Sequence, residues 1–322
     1  MVKCLYCYKE INDDEFKTYG FHKACSRKFF GKNTPPLLDY TQDEMLMLAE
    51  RVVKSQRTVT GVQPKLSLNR KKMTGNSATE RFTIVGLWGK FILKPQTQLY
   101  EQLPEIEDLT MQLAASSKIK TVEHSLIRLK SGQLAYITKR IDRPKDRKLH
   151  MEDMCQLTER LTEHKYKGSY EQIAKTIKAF SANPGFDVVN FYELVLFCFL
   201  TGNNDMHLKN FSLLKDVSLN YNLCPAYDLV ASELVVEGDD EELALNLNGK
   251  KKRLKRQDFF IAMKTSGMNE KSIENVFNKF QKQRSKWYGL IDSSFLTDEF
   301  KENYRNLIDR KFEQLEFEKK LK

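Results

Sequence analysis

Short runs of alternating apolar and polar residues predict β-strands in the first half of the chain. The runs at 82–86 and 90–95 predict a hairpin, and 135–143 predicts a strand that leads into a polar turn. Segment 58–68 places a glycine-containing turn before a further strand. Upstream of these strands, Thr41 opens an amphipathic helix. Together these patterns predict a small β-rich lobe.

From about residue 150 onward, apolar residues recur at every third or fourth position, which is typical of helices packed on a core. Only two strand-length runs remain, at 212–214 and 243–245. The sequence therefore predicts an α+β, bilobal protein with a small β-rich N-lobe (36–143) and a larger helical C-lobe (144–322). The helices predicted for the C-lobe are 170–180, 188–200, 258–263, 270–287 and 299–320.

Composition limits the class of protein. The chain has 322 residues, of which 41% are hydrophobic, and can bury one large two-lobed core or two domains. No apolar run reaches the roughly 20 residues of a membrane span, and the first residues lack the apolar segment of a signal peptide. We therefore expect a cytoplasmic protein whose thiols are reduced.

The net charge of +10 favours an anionic ligand or partner. Many of the basic residues alternate with acids, which is typical of solvated helix faces. Only the run 250–256, Lys-Lys-Lys-Arg-Leu-Lys-Arg, forms a basic cluster, and it is a candidate contact for nucleic acid.

Four residues near the N-terminus have the spacing of a zinc site. Cys4 and Cys7 form one short pair, and His22 and Cys25 form a second pair after fourteen intervening residues. Four such ligands can close a tetrahedron around Zn²⁺ and leave no open position, so the pattern favours a structural zinc. The alternative is a metal-free loop. We expect residues 1–35 to form a separate knuckle on which catalysis does not depend.

Three polar residues in the second half have the spacing that phosphoryl transfer requires. Asp205 precedes Asn210 by five positions, and Asp228 follows after an apolar segment. In protein kinases, an aspartate at this spacing orients the acceptor hydroxyl, while the asparagine and a later aspartate bind Mg²⁺. The alternative is an Asn/Asp-rich turn that closes a helix. A β-rich lobe before such a loop is the architecture of protein kinases.

The N-lobe contains a candidate for the lysine that binds the nucleotide phosphates. Lys94 ends an apolar strand, although strand-end lysines often only extend towards solvent. The predicted helix 105–113 carries Glu107, the best candidate to pair with Lys94; Glu101 and Glu105 remain alternatives. The turn that follows the strand at 135–141 would form the hinge that contacts adenine.

Six motifs then establish a family resemblance. Their order resembles that of the HipA family of bacterial toxin kinases over about residues 40–315, and the Asn-Asp-x-His-x-Lys-Asn-Phe-Ser block is the most specific of them. The motifs are Thr-Val-Thr-Gly-Val-Gln-Pro-Lys (58–65), Ile-Leu-Lys-Pro (92–95), Lys-Arg-Ile-Asp-Arg (139–143), Glu-Asp-Met-Cys-Gln (152–156), Asn-Asp-Met-His-Leu-Lys-Asn-Phe-Ser (204–212) and Pro-Ala-Tyr-Asp-Leu-Val (225–230).

The resemblance implies roles for residues of the two lobes. Asp205 would orient or deprotonate the acceptor hydroxyl, and Asn210 and Asp228 would hold Mg²⁺. His207 and Lys209 match the catalytic loop of the family, and the residues themselves indicate support of the loop or of the phosphates. The residues implied to bind ATP are Thr60, Gly61, Val62, Gln63, Lys65, Lys94, Glu107, Lys139, Ile141 and Asp142.

The resemblance also implies a function: a Mg²⁺/ATP-dependent serine/threonine protein kinase that is the toxin of a type II toxin–antitoxin system. Its substrates would be an aminoacyl-tRNA synthetase and itself. Long-type members of the family carry about a hundred residues before the 58–65 motif. This chain has about fifty, so a small antitoxin that resembles the missing subdomain is an expected partner. A helix-turn-helix antitoxin is another, with DNA bound only through the complex.

Self-phosphorylation is expected in the segment before the phosphate-binding turn. Thr58 stands where the long-type family has its autophosphorylated serine, and Ser55 lies three residues upstream. The alternative is that these hydroxyls cap the turn.

Two other functions remain open. One is a catalytically weak kinase fold that acts as a corepressor with a helix-turn-helix antitoxin on DNA. The other is a small-molecule kinase of the aminoglycoside phosphotransferase type, although those enzymes usually have a histidine where this chain has Asn203.

Overall fold

The computed structural model describes residues 2–55, 65–72, 80–85, 88–144, 147–236 and 238–317, with side chains in α3 described as far as residue 48. Contacts divide the chain into two compact units. The first comprises Met1–Asp108, Val122–Pro144 and Ser293–Phe295, and the second Leu109–Thr121, Lys145–Asp292 and Leu296–Lys322. Residues 1–35 thus belong to the same unit as the sheet that follows them. The proposed domain limits at 35 and 143 stay predictions.

An antiparallel five-stranded sheet forms the core of the first unit. Its strands occur in the spatial order β2-β1-β3-β5-β4. They are β1 (Leu66–Lys72), β2 (Glu80–Ile84), β3 (Phe91–Pro95), β4 (His124–Arg128) and β5 (Leu134–Lys139).

The predicted hairpin between 82–86 and 90–95 is wrong, because β1 lies between these two strands. β1 pairs with β2 on one edge and with β3 on the other. The connection from β2 to β3 passes close to β1 at Gly89, whose N–H donates to Ser67 Oγ at 3.0 Å. A Cβ at Gly89 would lie 2.6 Å from the carbonyl oxygen of Leu68, so only glycine permits this approach.

The helices of the N-terminal half include one that begins at the signal predicted at Thr41. The predicted helix start at Thr41 is confirmed as a capping box: the Thr41 N–H donates to Glu44 Oε2 at 2.7 Å, and the Glu44 N–H donates back to Thr41 Oγ1 at 3.3 Å. These helices are α1 (Asp14–Tyr19), α2 (Lys23–Phe30), α3 (Gln42–Ser55) and α4 (Leu103–Ser116).

The second unit is mainly helical, as predicted. A small antiparallel sheet accompanies the helices, in the order β6 (Met151–Asp153), β7 (Ser212–Lys215) and β8 (Tyr221–Leu223). The helices are α5 (Met154–Leu157), α6 (Tyr170–Phe180), α7 (Pro184–Leu200), α8 (Arg256–Thr265), α9 (Glu270–Gln281), α10 (Arg284–Ser293) and α11 (Asp298–Gln314).

Two sequence predictions fail in this unit. Residues 243–245 are buried but form bends, with only isolated bridges at Asn246 and Leu247. The predicted helix 270–287 is two helices, α9 and α10. On one straight helix, Phe280 and Trp287 would be roughly 10 Å apart along the axis. The break brings their ring centroids to 6.0 Å, and Trp287 also packs on Phe197 at 5.6 Å.

The α+β class of the fold is confirmed, with a β-rich first half and a helical second half. Among the described residues, no helix is both long and apolar enough to cross a membrane.

Candidate active site and metal centre

The candidate catalytic loop begins where α7 ends. Gly202 has a φ of +66°, and a Cβ there would lie 2.7 Å from Leu307 Cδ1 of α11. The positive φ favours glycine, and a Cβ would also require the Leu307 side chain to shift. The Gly202 carbonyl accepts a hydrogen bond from the Glu233 N–H at 3.0 Å, and Ser232 Oγ accepts one from the Asn204 N–H at 2.9 Å. The start of the loop is therefore held by residues distant in sequence.

Helix α11 holds the same region through charge. The buried Lys311 ammonium lies 3.0 Å from Glu233 Oε2 and 3.9 Å from Glu242 Oε1, and Arg310 also pairs with Glu233. A buried cation is stable only when paired in this way. The position of Glu233, and with it the Gly202 carbonyl, thus depends on α11.

Asp205 is half-buried and accepts a hydrogen bond from a tyrosine of its own unit. The Tyr166 hydroxyl donates to Asp205 Oδ1 at 2.6 Å, and the Tyr166 ring packs edge-on against His207 at 5.0 Å. Burial and the carboxylate raise the pKa of Tyr166, so its hydroxyl stays protonated as a donor. One oxygen of Asp205 is therefore fixed by Tyr166.

The Asn210 side chain is oriented by its own loop. Its amide nitrogen donates to the backbone carbonyl of Asp205 at 3.0 Å. Within the described part of the chain, the amide oxygen of Asn210 accepts no hydrogen bond, and it is the atom that a hard cation would bind.

Asp228 occupies a strained backbone conformation. Its φ of +59° is uncommon for a residue with a side chain and costs about 1–3 kcal/mol unless the surroundings enforce it. The neighbouring Tyr227 supplies an anchor: its hydroxyl is 2.5 Å from Ser212 Oγ and donates to the Lys209 carbonyl at 3.0 Å. The segment that carries Asp228 is thereby tied to the end of the catalytic loop. Oxygen ligands such as those of Asn210 and Asp228 suit Mg²⁺.

His207 and Lys209 support the loop. Burial lowers the pKa of His207, although the Asp205 and Asp228 carboxylates oppose this effect, so the imidazole is neutral at pH 7. The Lys209 ammonium lies 2.8 Å from Asp153 Oδ2, the residue that caps α5. These contacts place both residues against other elements of their unit.

In the first unit, Lys94 pairs with Glu107, as the sequence predicted. Their charged atoms are 2.5 Å apart, and both side chains are less than 5% exposed. Lys94 extends from β3, Glu107 from α4, and the ammonium also lies 5.4 Å from the centre of the Tyr136 ring. Glu105 does not pair with Lys94. Burial raises the pKa of Glu105 to about 7, and Asp108 adds to this shift.

The predicted hinge residues follow β5. Lys139 pairs with Glu123, and the Asp142 carboxylate bridges Arg140, at 2.7 Å, and Arg143. Ile141 is half-buried in the same turn. Lys65 is exposed just before β1. The remaining predicted nucleotide residues, Thr60, Gly61, Val62 and Gln63, and the hydroxyls of Ser55 and Thr58, lie outside the described residues.

The four predicted zinc ligands are brought together. The sulfur atoms of Cys4, Cys7 and Cys25 and a ring nitrogen of His22 all lie within 4.8 Å of one another. His22 Nδ1 is 3.4 Å from Cys7 Sγ and 3.8 Å from Cys25 Sγ. Ligands of a tetrahedral zinc lie about 3.5–3.8 Å apart, so the cluster fits this ion.

The surroundings of the cluster also fit a metal. His22 Nε2 lies 2.9 Å from the carbonyl of Glu10, which orients the ring with Nδ1 towards the sulfurs. Backbone N–H groups of His22 and Lys9 face the sulfurs of Cys4 and Cys7, respectively. Hydrogen bonds with Cys25 and Cys7 lower the pKa of Cys4, so the cluster favours a thiolate there even without a metal.

Three of the six basic residues in the run 250–256 face carboxylates. Lys250, Lys251 and Lys252 lie 2.7, 2.9 and 2.5 Å from the carboxylates of Asp258, Glu241 and Asp240. The Arg256 guanidinium lies 4.3 Å from the centre of the Phe277 ring. This run is therefore a poorer candidate for nucleic-acid binding than its sequence indicates.

Comparisons with known proteins identify the family and the fold. Residues 57–287 match the family model described as HipA-like C-terminal domain. The chain is 32% identical over 234 residues to "Putative kinase Y4dM" of Sinorhizobium fredii, which covers 69% of this chain and 55% of that protein. It is 28% identical over 228 residues to a protein of Haemophilus influenzae named "Putative kinase", covering 67% and 63%. The matched region is thus less than two thirds of either relative.

Two solved structures share the fold. One is HipA of Shewanella oneidensis MR-1, solved with HipB and its operator DNA; its TM-score is 0.67 at 22% identity, over 82% of this chain and 70% of that chain. The other is the Helicobacter pylori proinflammatory kinase CtkA, with a TM-score of 0.54 at 16% identity, over 78% and 93%. The predicted bilobal protein-kinase-like fold is thereby confirmed. Since the family model matches well over half of the chain, the chain belongs to the HipA-like C-terminal domain family of kinase-like proteins.

Proposed function

We propose that this chain is a Mg²⁺- and ATP-dependent serine/threonine protein kinase. The observation that carries the proposal is the local arrangement of the catalytic loop. The Asp205 carboxylate is fixed by Tyr166, and the amide oxygen of Asn210 is available to a cation. Asp228, eighteen positions after Asn210, is held in a strained conformation. Lys94, desolvated and paired with Glu107, supplies the cation for the nucleotide phosphates.

Each residue has a defined part in this proposal. Asp205 accepts the proton of, or orients, the acceptor hydroxyl, while neutral His207 and Lys209 support the loop. Asn210 and Asp228 hold Mg²⁺, which neutralises charge on the phosphates when bound. Lys139, Ile141 and Asp142 contact adenine and ribose. Lys65 and the turn at 60–63 cover the phosphates.

The test is transfer of labelled phosphate from ATP to a protein in cell lysate. Wild type should label one protein of the size of an aminoacyl-tRNA synthetase, and Asp205→Asn should not. Labelling of a small molecule instead would favour a kinase of the aminoglycoside phosphotransferase type. Equal labelling by Asp205→Asn would refute the assignment.

We further propose a toxin–antitoxin context, with a helix-turn-helix antitoxin as partner. The Shewanella HipA of the same fold is seen with HipB and operator DNA, which supports this class of partner. DNA would be reached through the complex, because the basic run 250–256 of this chain already faces carboxylates. A salt-dependent shift of operator DNA by the isolated chain would instead favour the corepressor alternative.

Two finer proposals concern zinc and self-phosphorylation. Cys4, Cys7, His22 and Cys25 bind one structural Zn²⁺, which metal analysis of wild type and Cys7→Ala would detect. Ser55 or Thr58 accepts phosphate from the enzyme itself and weakens nucleotide binding by charge repulsion. Mass spectrometry after incubation with Mg²⁺ and ATP should find that phosphate in wild type and not in Asp205→Asn.

A further inference from the structure

Tyr8, in the Cys/His knuckle, contacts the helix that carries Glu107. Its hydroxyl donates to Asp108 Oδ2 at 2.6 Å, across one hundred positions of sequence. Tyr8 and Asp108 are both buried, and Asp108 is the residue next to Glu107 on α4. The knuckle is therefore bonded to the element that positions the partner of Lys94.

Asp108 makes a second buried bond that leads to the same lysine. Its Oδ1 lies 2.7 Å from His124 Nδ1 on β4. The His124 ring stacks on the Tyr136 ring, with centroids 5.9 Å apart. The Lys94 ammonium lies over the same Tyr136 ring. Asp108 thus reaches the Lys94–Glu107 pair both along α4 and through two stacked rings.

The knuckle in turn fixes Tyr8. Tyr8 directly follows Cys7 and has a φ of +63°, a conformation that a residue with a large side chain seldom adopts. The turn is closed by the Tyr8 N–H, which donates to the Cys4 carbonyl at 2.9 Å, and by the cluster of Cys4 and Cys7 sulfurs. Such a conformation persists only where its surroundings enforce it. Metal bound by Cys4 and Cys7 would hold this turn closed.

We propose that Tyr8 and Asp108 are positioning residues that transmit metal binding at the knuckle to the Lys94–Glu107 pair. With zinc bound, Cys4 and Cys7 would keep Tyr8 in its strained turn. Tyr8 then holds Asp108, and Asp108 fixes the rotation of α4 that directs Glu107 to Lys94. The meaning of this link for ATP rests on the proposed kinase function. From the sequence we expected that kinase activity need not depend on the knuckle; the hydrogen bond between the knuckle and α4 is the reason for proposing a dependence.

The test compares Tyr8→Phe with Tyr6→Phe, a matched control two positions away. The Tyr6 ring packs within the knuckle, 5.9 Å from Phe29, and its hydroxyl interacts with Lys28. Both variants should retain one zinc per chain. Tyr8→Phe should weaken Mg-ATP binding about tenfold and speed amide hydrogen exchange in α4, whereas Tyr6→Phe should change affinity less than twofold.

Zinc removal provides the decisive comparison. A zinc-selective chelator, with Mg²⁺ kept in excess, should weaken nucleotide binding by wild type to the level of Tyr8→Phe and should have little further effect on that variant. Effects that simply multiply would overturn the proposal, as would α4 exchange that neither change affects. If Tyr8→Phe does not fold, Asp108→Asn, which keeps the shape of the side chain, carries the same comparison.

The experiments distinguish a failure of the kinase proposal from a failure of the proposed link through Tyr8 and Asp108. Wild type that binds no nucleotide would refute the kinase proposal, yet α4 exchange with and without zinc would still decide whether the knuckle positions this helix. Conversely, an active kinase whose α4 exchange and ATP affinity ignore both zinc and Tyr8 would refute the link alone.

Discussion

The candidate site residues of the first unit and those of the second unit are held in place by different kinds of interaction. In the first unit, Lys94, Glu107 and Asp108 are fixed by buried charges and by contacts up to one hundred residues apart in sequence. In the second unit, Asp205 and Asn210 are held by hydrogen bonds to uncharged groups, one to Tyr166, 39 positions away, and one within the loop. The buried charges of the first unit should be sensitive to any change in the side chains that pack around them. The second unit relies on these neutral hydrogen bonds, with Asp205 half-buried and Asn210 buried.

The largest effect is expected from the carboxylates of the second unit. Asp205→Asn and Asp228→Asn should each reduce phosphoryl transfer to at most about a hundredth, because charge and metal effects in such sites are worth several kcal/mol. Asp228→Asn should also weaken Mg²⁺-dependent nucleotide binding, while Asp205→Asn leaves it largely intact. Initial rates and calorimetric titration with Mg-ATP would measure both effects. Asp216→Asn, a change in the exposed β7–β8 turn, is the control.

The buried pair of the first unit should show the next largest effect, in stability. Lys94→Met leaves the Glu107 carboxylate buried without its cation and should cost about 3–5 kcal/mol in urea unfolding. Adding Glu107→Gln should restore most of that loss. In the second unit, Lys209→Met removes the ion pair with Asp153. Because the Lys209 side chain is about one third exposed, the loss in unfolding free energy should be about 1 kcal/mol or less. Equal losses for the two single variants would contradict the contrast between the units.

Glu105 should give the first unit a pH-dependent stability. Its pKa is raised from 4.5 to about 7 by burial, so the folded state holds a proton that the unfolded state has lost. Stability should therefore fall as the pH rises from about 4.5 to 7, by at most about 3.5 kcal/mol at roughly 1.4 kcal/mol per unit. Glu105→Gln should flatten this part of the pH profile and raise stability above pH 7. An unchanged slope would show that Glu105 does not titrate in this range.

The smallest effect is expected from Tyr166→Phe. The hydroxyl fixes one oxygen of Asp205 but is itself partly exposed, so its loss should cost about 1 kcal/mol, roughly fivefold in kcat. The KM for ATP should not change, since Tyr166 acts through Asp205. Tyr221→Phe, whose hydroxyl instead contacts His150 on the surface, should leave kcat unchanged. A rise in the KM for ATP alone would refute this role for Tyr166.

The sequence predicted groups that are close together in the chain better than contacts between distant residues. The Asp205 to Asn210 spacing, the zinc ligands and the capping box at Thr41 are local patterns, and the structure brings each group together. The pairing of Lys94 with Glu107 was also predictable, because a strand followed by a helix limits the candidate partners. Patterns that span no more than about thirty residues thus predicted most of these groups.

Contacts across long stretches of sequence were missed. The bond from Tyr8 to Asp108 joins two residues that each look ordinary in their own segment, and the β1 strand between β2 and β3 follows from packing rather than from turn spacing. At the break between α9 and α10, Phe280 and Trp287 both pack on Phe197, a tertiary contact that no apolar period records. Tyr166 had one available signal, its position in a Lys-Tyr-Lys-Gly turn, but that signal is weak.

The dependence of the catalytic loop on α11 has a consequence for the timing of protein synthesis. Leu307, Arg310 and Lys311 hold Gly202 and Glu233, yet the ribosome makes them long after the loop itself. At roughly 5–20 residues per second, the stretch of about 90 residues between Asn210 and α11 takes on the order of 5–20 s to synthesise. During that interval the nascent chain lacks the contacts that shape the loop. The loop would therefore reach its final shape only after α11 has been synthesised.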